Sequence, residues 1–190
     1  MSEERIRQIA ADSVALKQRF FEANAALIAR CAAEISSRMR RGHKVLVFGN
    51  GGSAADAQHF ACELSGRFLK ERAALPALAL TTDTSALTAI GNDYGYEFVF
   101  SRQVEAHGRD GDVAIGISTS GRSPNVLRAL DVARQRGLLT VALTGRGGGS
   151  AAALADFLID VPHPDTPRIQ EVHTMVVHVL CELIEESVSA

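Results

Sequence analysis

In the run GNGGSAADAQHFACEL, Gly49 to Leu64, an imidazole and a carboxylate stand four residues apart, at His59 and Glu63. On a helix that spacing puts both on one face. A carboxylate beside an imidazole can take up and hand on protons near neutral pH. The same run opens with Gly49, Gly51 and Gly52, which let the backbone turn tightly and approach a ligand closely. The helix that follows offers unpaired N–H groups to an anion or a hydroxyl. A plain tight turn explains the glycines equally well. The pattern is not GxGxxG, and no acidic residue closes the second strand to meet a ribose, so no nucleotide is expected.

A second group of polar residues lies in GISTSGRSPNV. Ser118, Thr119, Ser120 and Ser123 set four hydroxyls within six positions, where a strand ends and a helix begins. Hydroxyls and helix N–H groups together form a phosphate cradle that needs no Lys or Arg. Ser123 could instead serve as an ordinary N-cap. There is no GxxxxGK[ST] run, which argues against a P-loop.

The third group interrupts the last apolar stretch. Gln170, His173 and His178 stand among Ile169, Val172, Val176, Val177 and Val179. Gln170 and His178 are two helical turns apart, about 12 Å of rise. His178 lies in the most apolar part, where an unpaired imidazole is costly. Two readings stay open for it, a buried structural histidine or a site residue.

These groups need elements to position them. Residues 3–41 read as helix, in two pieces or one bent piece, with apolar residues near a helical period. HKVLVFGN is a buried strand meeting a turn, and SAADAQHFACELSGRF a helix. LPALALTT is a second strand. SALTAIGND is a short helix ending at Gly91, and YEFVFSRQVEAHG another ending at Gly108. GDVAIGISTSG is a third strand and turn. SPNVLRALDVARQRG is an amphipathic helix with Pro124 in its first turn and Gly137 at its end. LLTVALTG and DFLIDVP are the fourth and fifth strands, with GGSAAALA a short helix between them. TPRIQEVHTMVVHVLCELIEESV is the closing helix. Continuous apolar strands alternating with helices indicate a five-stranded parallel sheet covered on both faces, an α/β three-layer αβα sandwich. Ligands of such sheets bind at the carboxyl ends of the strands.

The 190 residues suit one domain, with N-terminal helices over 1–41 and an alternating core over 44–188. Charged residues make up 22% and the net charge is −2, so no basic stripe for nucleic acid is expected. The polar N-terminus lacks a signal-peptide core and no apolar run is long enough to span a membrane, which points to the cytoplasm. Cys31, Cys62 and Cys181 show no CxxC pattern and read as buried or free thiols.

Together GNGGSAADAQHF, IGNDYG, GISTSGRSPNV, RIQEVH and His178 resemble the phosphoheptose isomerases, enzymes of the sugar isomerase (SIS) fold, a flavodoxin-like arrangement. The match runs in order over 44–188. The resemblance implies a ketose–aldose isomerisation of D-sedoheptulose 7-phosphate to D-glycero-D-manno-heptose 7-phosphate. That is an early step toward the activated heptose of lipopolysaccharide or other glycans. It also implies a homotetramer with sites at subunit interfaces. By motif position, Asn50, Gly51 and Gly52 would contact the sugar, as would Asn92 and Asp93, from a neighbouring subunit. Ser118, Thr119, Ser120 and Ser123 would hold the phosphate and Gln170 would touch substrate. Glu63 and His178 would be the acid/base pair of an ene-diol mechanism. Some members bind zinc, and the matching ligands here are His59, Glu63, Gln170 and His178. A related SIS group binds the bacterial replication initiator without catalysis and carries Asn where His178 stands. A sugar-phosphate sensor would use the same pocket without turnover. The presence of Glu63 and His178 favours the enzyme.

Overall fold

The structure, a computed structural model, describes residues 2–189. Five strands, β1 (Val45–Gly49), β2 (Ala77–Ala79), β3 (Val113–Ser118), β4 (Leu139–Gly145) and β5 (Phe157–Val161), form one sheet. All pair in parallel, in the order β2-β1-β3-β4-β5. Every residue of β1, β3 and β4 is buried, which is why these strands are unbroken apolar runs rather than alternating ones.

Side chains leave a strand to opposite faces in turn, and the two cores follow that period. Val45 and Val47 point to the face covered by α1 (Glu3–Arg40), α2 (Gly52–Ser65) and α6 (Thr166–Ser189), where Ile35, Phe60 and Leu180 pack. Leu46 and Phe48 point to the face covered by α3 (Thr84–Asp93), α4 (Ser101–His107) and α5 (Pro124–Gln135), where Val104, Val126 and Leu130 pack. Each such side chain contributes roughly 1.5–3 kcal/mol by leaving water. The result is the three-layer sandwich expected from the strand pattern.

Several boundaries differ from the expectation. The N-terminal region is one continuous helix of 38 residues, about 57 Å long. Its buried residues begin only at Leu16, while Ile6 and Val14 are 66% and 64% exposed. Helix α3 runs through Gly91 to Asp93, because the Tyr94 N–H still bonds Ile90 O. The left-handed residue that breaks the chain direction is Gly95, at φ 101°. The expected helix over 96–108 is split. Residues Tyr96–Phe98 tighten into a 3-10 turn, and α4 starts at Ser101. The tightening lets two successive residues, Val99 and Phe100, both enter the core. β2 keeps only three residues, since Pro76 has no N–H for the ladder and the chain turns away at Thr81. GGSAAALA is a 3-10 turn, Gly149–Ala153. Cys31 and Cys181 are buried, Cys62 is exposed, and all three are free. Among the described residues no helix is long and apolar enough to cross a membrane.

Candidate active site

The strand order reverses direction between β1 and β3, with β2 on one side and β4 and β5 on the other. At such a switch point the two outgoing loops part and leave a crevice. The glycine turn follows β1 and the serine turn follows β3, so both open onto it. Two reciprocal amide bonds tie them together: Asn50 Nδ2 donates to Asn125 Oδ1, and Asn125 Nδ2 to Asn50 Oδ1, each at 2.9 Å. A cleft of about 590 Å³ lies there, lined by Asn50, Tyr96, Glu97, Ser123, Asn125 and Arg128 among others.

Gly51 has φ 57° and ψ −123°, a conformation L side chains avoid. At Gly52 the reason is space. A Cβ there would sit 2.5 Å from the Gln170 side-chain nitrogen. The α6 amide therefore lies against the start of α2, beside the glycine turn.

The serine turn settles the ambiguity at Ser123. It stands at the N-cap of α5, yet its hydroxyl caps no amide. Instead Ser123 Oγ pairs with Ser118 Oγ at 2.9 Å, and Ser118 Oγ lies 3.5 Å from Ser120 Oγ. Ser120 also accepts the Arg122 N–H at 3.2 Å. Three hydroxyls thus gather at one strand end, with Thr119 between them in sequence. An ordinary cap would have spent the Ser123 oxygen on its own helix.

The titratable group forms where α2 meets α6. His59 Nε2 lies 3.1 Å from Glu63 Oε1 and 3.3 Å from His178 Nε2. The two imidazoles stand edge to face, centroids 4.8 Å apart, and the Phe68 ring lies 5.7 Å from that of His178. His59 Nε2 is thus within hydrogen-bond distance of both Glu63 and His178, and the three side chains form one connected group.

His173, the third polar interruption of α6, is a core residue. It is fully buried, and its Nε2 donates to Thr144 O at 2.8 Å. Its Nδ1 has no partner. Burial lowers its pKa to about 4 despite the Thr144 bond and Asp160, so the ring is neutral.

Sequence reasoning missed Asp56, Thr174, Phe68 and Asn125. Asp56 is buried, and burial raises its pKa. It accepts a hydrogen bond from Thr174 Oγ1 at 2.9 Å, and His59 and His178 pull its pKa partly back. The signal was present. Asp56 precedes His59 by three residues and Thr174 precedes His178 by four, so each shares a helix face with its histidine. Asn92 and Asp93 do not join the group within one chain. They end α3, exposed, with Asn92 Nδ2 donating to Asp93 Oδ1 at 2.7 Å.

For a metal, the donor types of His59, Glu63 and His178 suit zinc. Neighbouring ligands of a tetrahedral zinc stand roughly 3.3 Å apart, near the 3.1 and 3.3 Å separations found. The set is not drawn around one point, however. Among the described residues no three His, Cys, Asp or Glu side chains form a group that could hold an ion, and Gln170 lies against Gly52.

Residues 9–145 match the family model described as SIS domain. The chain is 57% identical over 176 residues to a phosphoheptose isomerase of Desulfovibrio desulfuricans, covering 93% of this chain and 84% of the relative. It is 56% identical over 185 residues to a phosphoheptose isomerase of Aquifex aeolicus, covering 97% of each. A solved phosphoheptose isomerase from Neisseria gonorrhoeae superposes with a TM-score of 0.91 at 48% identity, covering 97% of this chain and 98% of that one.

Proposed function

This chain belongs to the SIS-domain family and, within it, to the phosphoheptose isomerases, and from that membership we propose how its site converts D-sedoheptulose 7-phosphate to D-glycero-D-manno-heptose 7-phosphate. The observation that carries the reading is the presence of two separate groups in the chain: a hydroxyl cradle after β3 and a carboxylate–imidazole group between α2 and α6, the helix that leads out of the glycine turn and the helix that Gln170 brings against it.

The phosphate binds Ser118, Thr119, Ser120 and Ser123, and the sugar chain runs past Asn50, Gly51, Gly52 and Gln170. An extended seven-carbon chain then carries its reacting end away from the phosphate, toward Glu63 and His178. Glu63 takes a proton from C1, the C–H electrons form the C1–C2 double bond, and the carbonyl oxygen at C2 gains a proton from His178. His178 then receives the proton of the C1 hydroxyl, the C1 carbonyl forms, and Glu63 returns its proton to C2. Every proton removed is returned, so no redox partner is required. His59 lies within hydrogen-bond distance of both.

We propose that zinc, when present, would be held by His59, Glu63, Gln170 and His178 drawn closer together than they stand here, in a state distinct from the one in which Glu63 and His178 act as free base and acid. When bound it would polarise the substrate carbonyl. The donor types and the two short separations support this; metal content of the protein purified without chelator, and zinc titration of stripped protein by calorimetry, test it.

A homotetramer in which Asn92 and Asp93 reach a neighbour's substrate is the assembly proposed. The exposed Ile6 and Val14 on the N-terminal turns of α1 support it. The product feeds activated-heptose synthesis for lipopolysaccharide or other glycans, and the enzyme works in the cytoplasm. Incubation with sedoheptulose 7-phosphate, followed by NMR of the products, tests the central reading. Absence of the aldose phosphate, with and without zinc, would overturn it.

A further inference from the structure

Glu185 is a carboxylate with 1% exposure near the end of α6, seven residues after His178 and hence close to the same helix face. It faces the loop between α2 and β2. One oxygen accepts the Phe68 N–H at 3.0 Å and Arg72 Nε at 3.0 Å. The other accepts the Leu69 N–H at 2.7 Å and the Lys70 N–H at 2.8 Å. Three successive amides and a guanidinium thus close on one buried carboxylate. Burial alone would raise its pKa, but these donors hold it below the ordinary value.

Arg72 carries the contact onward. Its Nη2 donates to Glu63 O at 2.8 Å and its Nη1 to Leu64 O at 2.9 Å. Both carbonyls lie in the last turn of α2, where a helix leaves C=O groups without partners and favours a cation. The other arm is Phe68. With its amide held by Glu185, its ring lies tilted 33° against that of His178. One buried ion pair therefore touches the backbone of Glu63 and fixes the ring that covers His178.

We infer that Glu185 and Arg72 are positioning residues for the isomerisation, setting the Glu63 carboxylate and the His178 imidazole relative to each other through the folded-back segment 68–72. The inference rests on the reading of Glu63 and His178 as the acid/base pair. A purely structural clamp would affect how much protein is folded. A positioning clamp also affects the rate of each folded molecule.

The test measures kcat and KM for sedoheptulose 7-phosphate in Arg72→Lys, Glu185→Gln and Phe68→Leu, with Glu63→Gln as control. Assays run well below each variant's unfolding midpoint and rates are expressed per folded chain. Arg72→Lys keeps a cation beside Glu185 but loses the fork to Glu63 and Leu64. Its kcat should fall about 10-fold or more, since small misplacements of reacting groups cost that much. KM should stay within about twofold, because the serine turn lies on another strand. Glu185→Gln should fall further, as its amide turns donors toward the loop N–H groups. If that variant does not fold, Arg72→Lys and Phe68→Leu, each removing one arm, decide the matter. Wild-type kcat per folded chain in those variants, beside an inactive Glu63→Gln, overturns the positioning role alone. Wild-type turnover in Glu63→Gln overturns the acid/base reading and this inference with it.

Discussion

The Nε2 atoms of His59 and His178 lie 3.3 Å apart although 119 residues separate them in the chain. Two nitrogens at that distance share one proton, or one of them accepts from the other. Glu63 Oε1, 3.1 Å from the same His59 nitrogen, extends the arrangement to three side chains. A group built this way can hold a proton at one end while accepting one at the other, as an isomerisation through an ene-diol requires.

Glu63→Gln keeps the side-chain shape and removes its basicity. Turnover should fall roughly 100- to 10,000-fold, the usual worth of a general base. Exchange of the C1 proton with deuterated solvent, followed by NMR, should stop, while substrate still binds. His178→Gln should slow turnover but leave some C1 exchange, because its protons go to oxygen. Near-wild-type exchange in Glu63→Gln would remove Glu63 as the carbon base.

Ser118 and Ser123 face each other rather than the helix, and Ser120 is close by. Ser120→Ala with Ser123→Ala should raise KM steeply and change kcat less. Each hydrogen bond lost to a charged phosphate is worth about 1.5–3 kcal/mol. An unchanged KM would place the phosphate elsewhere.

His173 makes stability depend on acid pH. Its ring is neutral in the fold, with a pKa of about 4 against 6.5 when exposed. Above 6.5 both states leave it neutral and its contribution is complete. As pH falls from 6.5 to about 4 the unfolded chain takes a proton that the native chain refuses. Stability should drop over that window by on the order of 3 kcal/mol from this residue. His173→Gln removes the titration, so its unfolding free energy should fall less than wild type between pH 7 and pH 4.5. Parallel curves for the two proteins would exclude the effect.

The first turns of α1 leave Ile6, Ile9 and Val14 exposed. In the proposed tetramer they are covered by other subunits. Ile6→Glu with Val14→Glu should lower the mass seen by light scattering and reduce activity with it, as Asn92 and Asp93 lose their neighbour. A stable, fully active monomer at micromolar concentration would rule out shared sites.

Much of this architecture was legible in the chain itself. Short apolar runs such as Val45–Phe48, bounded by turn residues and alternating with amphipathic helices, read as strands covered on both faces, which gives a parallel sheet with its ligand edge. Local spacing also put His59 and Glu63 on one face and gathered the serines in one turn. Tertiary structure decided what local spacing left open. His173 and His178 look alike in sequence, both on an apolar helix, yet one turns into the core against Thr144 and the other meets His59. Ser123 reads as an N-cap until Ser118, five residues earlier at the end of β3, claims its hydroxyl, which depends on how the turn between them folds. The pairing of Asn50 with Asn125, and of Glu185 with the loop before β2, joins residues 75 and more than 110 positions apart. No helical or strand period encodes such contacts, because they depend on which elements the sheet order brings side by side.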